Sequence, residues 1–167
     1  MTETVSTTSV YADVWRALFR LLDGTVWPAV DVPGVAPPKV FLTGFDKDGP
    51  RKENVVVITD DDNGGAESQE WGPIGRMARD ELMSTRLYLD TRIPNRDQFQ
   101  ALDRIEQLTK TVEQLIRTTV RPAVVPFELQ GRMKWWAVGS VSSKVGKLDQ
   151  GGFAARSFIT VNVNARV

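Results

Sequence analysis

Three groups of residues in this chain have the types and spacing that chemistry uses. Asp60-Asp61-Asp62-Asn63-Gly64 offers the oxygen ligands that calcium takes. A calcium loop of the helix–loop–helix kind also needs a Glu at its twelfth position. Counted from Asp60, that position is Trp71, and no helical pattern flanks the segment. The reading taken is a solvated turn, because Asp and Asn bond their own backbone there. Glu67, Glu70, Asp80 and Glu81 could supply paired carboxylates for acid–base work, but nothing in their spacing fixes a separation, so they read as loop charge. Trp135-Trp136, with Arg132 and Lys134 beside them, could stack nucleic-acid bases, pack in the core or meet a protein partner. Adjacent strand residues point to opposite faces, so at most one of the two indoles enters a given core.

The rest of the catalytic repertoire is missing. The chain has no His and no Cys. The side chain best matched to proton transfer near neutral pH is therefore absent, as are the thiolate nucleophile and the thiol metal site. Serines exist without a Gly-x-Ser-x-Gly turn or a histidine base. The glycine pairs at 64–65 and 151–152 lack the lysine and the spacing of phosphate-binding loops. No catalytic residue, cofactor site or metal site is expected. The 21 basic and 21 acidic residues balance, so no general attraction to nucleic acid or to an anionic membrane is expected. The first nine residues carry no signal-peptide pattern, and no apolar run approaches the ~20 residues of a membrane span. Assembly in a cytoplasm is the expectation.

The elements that must position these residues follow from periodicity. Residues 1–9 read as a flexible tail, and 10–167 as a single domain with a long loop at about 60–76. Tyr11, Val14, Trp15, Leu18 and Leu22 make one helical stripe, with Ser9 as cap and Gly24 as a left-handed stop. Prolines 28, 33, 37 and 38 mark an extended connection. Lys39 to Phe45 and Asn54 to Thr59 read as strands. Met77 to Thr91 reads as another. Met83, Thr85, Leu87 and Leu89 lie on one of its faces, and Leu82, Ser84, Arg86 and Tyr88 on the other. A long helix is predicted from Arg96 to Thr119, capped by Asn95 with Gln98, with a stripe from Phe99 through Leu102, Ile105, Leu108, Val112, Leu115 and Ile116. Met133 to Val145 and a strictly alternating Phe153 to Arg166 close the chain as a hairpin. Strands grouped around one long helix predict an α+β fold. Its sheet is expected to be mainly antiparallel and packed on that helix, with the short N-terminal helix beside it.

This order resembles the tail terminator, or tail-completion, proteins of long-tailed bacteriophages. The resemblance rests on the helix at 10–23, the strand Glu81-Leu-Met-Ser-Thr-Arg-Leu-Tyr-Leu-Asp90, the helix at 96–119 and the hairpin ending in Phe158-Ile-Thr-Val-Asn-Val-Asn-Ala-Arg166. It implies a virion protein without enzymatic activity that forms a homo-oligomeric, hexameric ring. That ring caps the growing tail tube and presents a surface to the head-side connector or stopper. Genomic DNA passes through the lumen without being read, and no membrane is involved. The family has no sharply spaced motif, so it assigns no site residue. Trp135, Trp136, Arg156, Phe158 and Tyr88 are the candidate interface residues, read from exposed aromatics and from the polar faces of the strands. Two other readings stand beside this one, another head–tail neck protein and a nucleic-acid-binding accessory protein.

Overall fold

In a computed structural model of the chain, residues 11–30, 32–33, 35–42, 52–58, 66–71, 79–119, 133–149 and 151–166 are described. They form two helices and one sheet: α1 (Tyr11–Asp23), β1 (Lys39–Leu42), β2 (Lys52–Ile58), β3 (Ala66–Trp71), β4 (Arg79–Arg92), α2 (Gln98–Thr118), β5 (Met133–Lys147) and β6 (Phe153–Arg166). The fold is α+β.

The sheet runs in the order β1-β2-β4-β6-β5. β1 pairs parallel to β2, and every other pair is antiparallel, so the sheet is mixed. β4 is the axis of the fold. One of its edges is paired with β6 from Asp80 to Arg92. Its other edge is shared, with β3 along Arg79–Met83 and β2 along Arg86–Arg92.

Both helices lie on one face, α1 against β1 and β2, and α2 against β4, β5 and β6. Val14, Ala17, Leu18 and Leu22 of α1 are fully buried, as helical spacing requires. Trp15 is half-buried, and its indole N–H donates to the Thr85 hydroxyl of β4 at 3.1 Å. From α2, Ile105, Leu108, Val112 and Ile116 meet Met83, Leu87, Leu89, Ile159, Val161 and Val163 in one core. Each such side chain contributes about 1.5–3 kcal/mol on burial. No helix among the described residues is long and apolar enough to cross a membrane.

Several expectations are corrected. The capping residue of α2 is Asp97, two positions after Asn95. The Asp97 carboxylate accepts from the Gln100 backbone N–H at 2.8 Å, and the Gln100 side-chain Oε1 accepts from the Asp97 backbone N–H at 3.0 Å. Asn95 has φ 63° in the preceding turn, a conformation its short polar side chain tolerates. Phe99 is 66% exposed, because a residue three before the half-buried Leu102 already lies on the outer side of the helix. Gly24 ends α1 by donating to the Arg20 carbonyl at 3.0 Å and does not take a positive φ. The loop expected at about 60–76 contains β3, a strand that owes its order to pairing with β4. Ser9, the Asp60–Gly64 turn and Arg132 lie outside the described residues.

The β5–β6 hairpin turns through Gly151 and Gly152, both at φ 89°. A Cβ at Gly152 would stand 2.7 Å from the Asn95 nitrogen, so glycine lets the hairpin turn pass the start of α2. β5 carries two irregularities, between Met133 and Trp135 and between Val138 and Ser140. Gly139 occupies the second, where a Cβ would come within 2.5 Å of the Asn162 side chain.

Candidate functional site: the uncovered sheet face and the β5 edge

Residues one step along each strand from the core form the opposite face, which no described helix covers. Its rungs follow from the register. Val56, Tyr88, Phe158 and Ser142 lie side by side across β2, β4, β6 and β5. Asn54, Asp90, Arg156 and Lys144 form the next rung, and Leu82, Asn164 and Trp135 lie toward the other end. The Tyr88 and Phe158 rings sit 5.1 Å apart and tilted by 49°, a favourable aromatic pairing. The Ser84 hydroxyl donates to the Asn162 side-chain oxygen at 2.7 Å.

Of the five candidate interface residues, four therefore share this face: Tyr88, Trp135, Arg156 and Phe158. Trp135 is 42% exposed, Arg156 is exposed, and the other two are half-buried. Trp136 points the other way. It is buried, and its indole N–H donates to the Ile116 carbonyl at the end of α2 at 3.0 Å. That bond satisfies a helix-terminal carbonyl and makes Trp136 part of the core, so it leaves the interface set.

The face has its own electrostatics. Asp90 is 1% exposed and forms an ion pair with Arg92 at 2.6 Å. Burial pushes its carboxyl above the ordinary carboxylate value, against the pull of Arg92, Arg156 and the Asn54 side chain. Burial also raises the Tyr88 phenol, and the neighbouring Asp90 charge adds to that shift.

Elsewhere the charged groups are structural. Glu81 is fully buried on β4. The register sets Gln69 opposite Glu81 and Glu70 opposite Asp80. Among the described residues no group of three acidic side chains could hold a metal ion. A cleft of about 840 Å³ opens between the 29–32 segment and the first half of α2. Its most buried charge is already committed. The Arg104 guanidinium donates to both Glu53 oxygens at 2.8 and 2.7 Å, and to the Pro28 carbonyl at 2.9 Å. This fork joins α2, the start of β2 and the proline-bearing connection. The signal in the sequence was a charge inside the helical stripe, three residues after Ala101 and four before Leu108.

The edge strand β5 was not foreseen as a surface. Val141 and Val145 pair with Ile159 and Ala155 on the helix side of the sheet. Their partners are fully buried, yet they are themselves 41% and 38% exposed, because α2 does not reach over this part of β5. A groove of about 460 Å³ runs between β5 and α2, lined by Glu113, Arg117, Trp136, Val138 and Val141.

Fold and surface together define an α+β protein built on a mixed sheet, with one face under both described helices and the other under neither. No protein-family model matches the chain, and no curated protein matches it either.

Proposed function

We propose that the chain is a structural virion protein that assembles into a ring at the head-proximal end of a phage tail tube. The ring ends tube growth and offers its other rim to the head-side connector. DNA passes through the lumen, and the chain works without a cofactor. One observation carries the proposal, an open sheet whose terminal strand β5 pairs with β6 alone among the described residues. An open edge next to an aromatic, half-buried face suits a subunit better than a self-contained enzyme. The absence of His and Cys and the order of elements point the same way.

Negative-stain images of the purified protein, alone and mixed with tail tubes, test it. Rings, or tube ends closed by a ring, are the expected result. A persistent monomer that ignores tube ends sinks the proposal. Binding to portal complexes instead of tube ends moves the protein to another position in the neck.

A further inference from the structure

From Gly139 to Lys147 every residue of β5 is exposed. Over Ser140–Lys147 the strand follows β6 without a break and contains no proline. The irregularity between Val138 and Ser140 bounds this stretch at one end, and the turn through Gly151 and Gly152 bounds it at the other. The register places Val141, Ser143, Val145 and Lys147 on the helix side of the sheet, and Ser140, Ser142, Lys144 and Gly146 on the opposite side. A regular, exposed edge of this kind is a template for another strand.

We infer that this edge pairs with the same edge of a second copy, antiparallel, about a two-fold axis that passes through Ser143 and stands perpendicular to the sheet. The contact joins two molecules and does not close a ring, since a ring needs a heterologous contact elsewhere on the chain. The inference therefore stands apart from the tail function.

Three observations select this occupant and this register. First, with Ser143 on the axis, the stretch from Ser140 to Gly146 pairs with itself along its whole length. Val141 meets Val145 of the second copy, and Val145 meets its Val141. These valines, 41% and 38% exposed in one molecule, then cover one another on the helix side, where α2 does not reach. Second, lysines on an edge commonly oppose pairing. This register sets Lys144 against Ser142 and Lys147 against Gly139 of the second copy, never lysine against lysine. An axis moved to Lys144 sets that lysine against itself, and one moved to Ser142 shortens the regular paired stretch to Ser140–Lys144. Third, the charges match. Lys147 comes beside Gly139 of the second copy, at the mouth of the groove between β5 and α2 that Glu113, Val138 and Val141 line. The lysine stem meets an apolar wall there, and its ammonium group meets the Glu113 carboxylate. Within one copy, among the described residues, neither Lys147 nor Glu113 is in an ion pair.

The chain has no cysteine, so one introduced at the axis reports on the contact without background. Residues facing each other across an antiparallel pair have Cα atoms about 4.5–5.5 Å apart, inside the roughly 4.4–6.8 Å that a disulfide spans. Under mild oxidation of the full chain, S143C should form a covalent dimer about tenfold faster than S140C, whose counterpart in this register is Gly146. Equal rates for the two variants overturn the inference. Sedimentation velocity of the wild type should show a dimer, and a chain that stays monomeric at high concentration overturns it as well.

Charge reversal separates this contact from a merely adhesive edge. K147E and E113K should each weaken dimerisation about tenfold. Mixed in equal amounts, the two variants should pair with each other, because each reversed charge then meets its complement at both ends of the interface. A mixture that associates no more tightly than either variant alone overturns the inference, as does dimerisation that neither change moves. S143C leaves both charges in place, so it decides the matter even where E113K fails to fold. Rings on tube ends together with an S143C chain that does not cross-link would reject this contact and leave the tail function standing. Cross-linked dimers from a protein that ignores tube ends would do the reverse.

Discussion

Leu87 and Ile159 sit opposite each other on β4 and β6, fully buried under α2. One residue along each strand, Tyr88 and Phe158 sit opposite each other on the uncovered face, half-buried and in ring contact. The two pairs share a backbone and differ in what lies above them. Beneath the helices, side chains are branched aliphatics that fit one arrangement. On the other face, Tyr88 and Phe158 meet ring to ring, and Asp90 is buried beside Arg92. The difference separates residues that specify the fold from residues that remain available for contact. The candidate interface residues divide along that line, with Trp136 on the fold side and the other four on the contact side.

The largest expected effect that breaks this division comes from a charge placed on the fold side. Arg104→Met leaves the Glu53 carboxylate buried without its fork and should cost about 3–5 kcal/mol in urea unfolding. Arg104→Met with Glu53→Met should recover most of that loss. Equal losses in the single and double variants would show that Arg104 matters through its bond to the Pro28 carbonyl and not through Glu53.

A smaller effect separates two neighbouring indoles. Trp136→Phe keeps a ring in the core but removes the donor to the Ile116 carbonyl, so it should cost about 1–2 kcal/mol. Trp135→Phe should leave the melting temperature almost unchanged, since that side chain is 42% exposed. The order of the two melting temperatures is the check, and its reversal would assign the wrong faces to β5.

Smaller still for folding, and decisive for contact, are changes on the uncovered face. Phe158→Leu gives up the ring pairing with Tyr88, about 0.5–1.5 kcal/mol. Arg156→Glu alters an exposed side chain and should scarcely move the melting temperature. Both should reduce assembly, measured by light scattering, more than they reduce stability. Parallel losses of the two would remove this face from the interface.

How much of this could be read in advance depends on where the ordering force comes from. β6 alternates strictly because it is central and has one face under a helix, so its pattern survives in the sequence. The stripe of α1 is legible for the same reason. β3 was not. Ala-Glu-Ser-Gln-Glu-Trp has neither the alternation nor the β-branched residues of a strand, and only its partner β4 orders it. The start of α2 was misplaced because Asn95 and Asp97 are both good caps, and only the observed reciprocal bonds with Gln100 choose between them. Four of the five candidate interface residues share a face by simple parity along β4, β5 and β6. The exposed β5 edge was illegible, because its exposure depends on how far α2 extends over the sheet.

The smallest expected effect tests whether the uncovered face shields charge as its geometry implies. Burial holds the Asp90 carboxyl above its ordinary value of 3.8 despite the nearby arginines. The folded state therefore keeps the proton to higher pH than the unfolded chain does. Between 3.8 and the raised folded value, the folded state binds more protons, so this group's contribution to stability falls as pH rises through that window. Above the window the contribution is constant and unfavourable. Asp90→Asn removes the titration and the buried charge together. It should leave stability near neutral pH unchanged or slightly higher, and it should make the melting temperature rise more steeply with pH just above 3.8. A shallower rise, or a clear loss at neutral pH, would mean that the Asp90–Arg92 pair outweighs desolvation. The uncovered face would then be held together by charge in the way the other face is held together by packing.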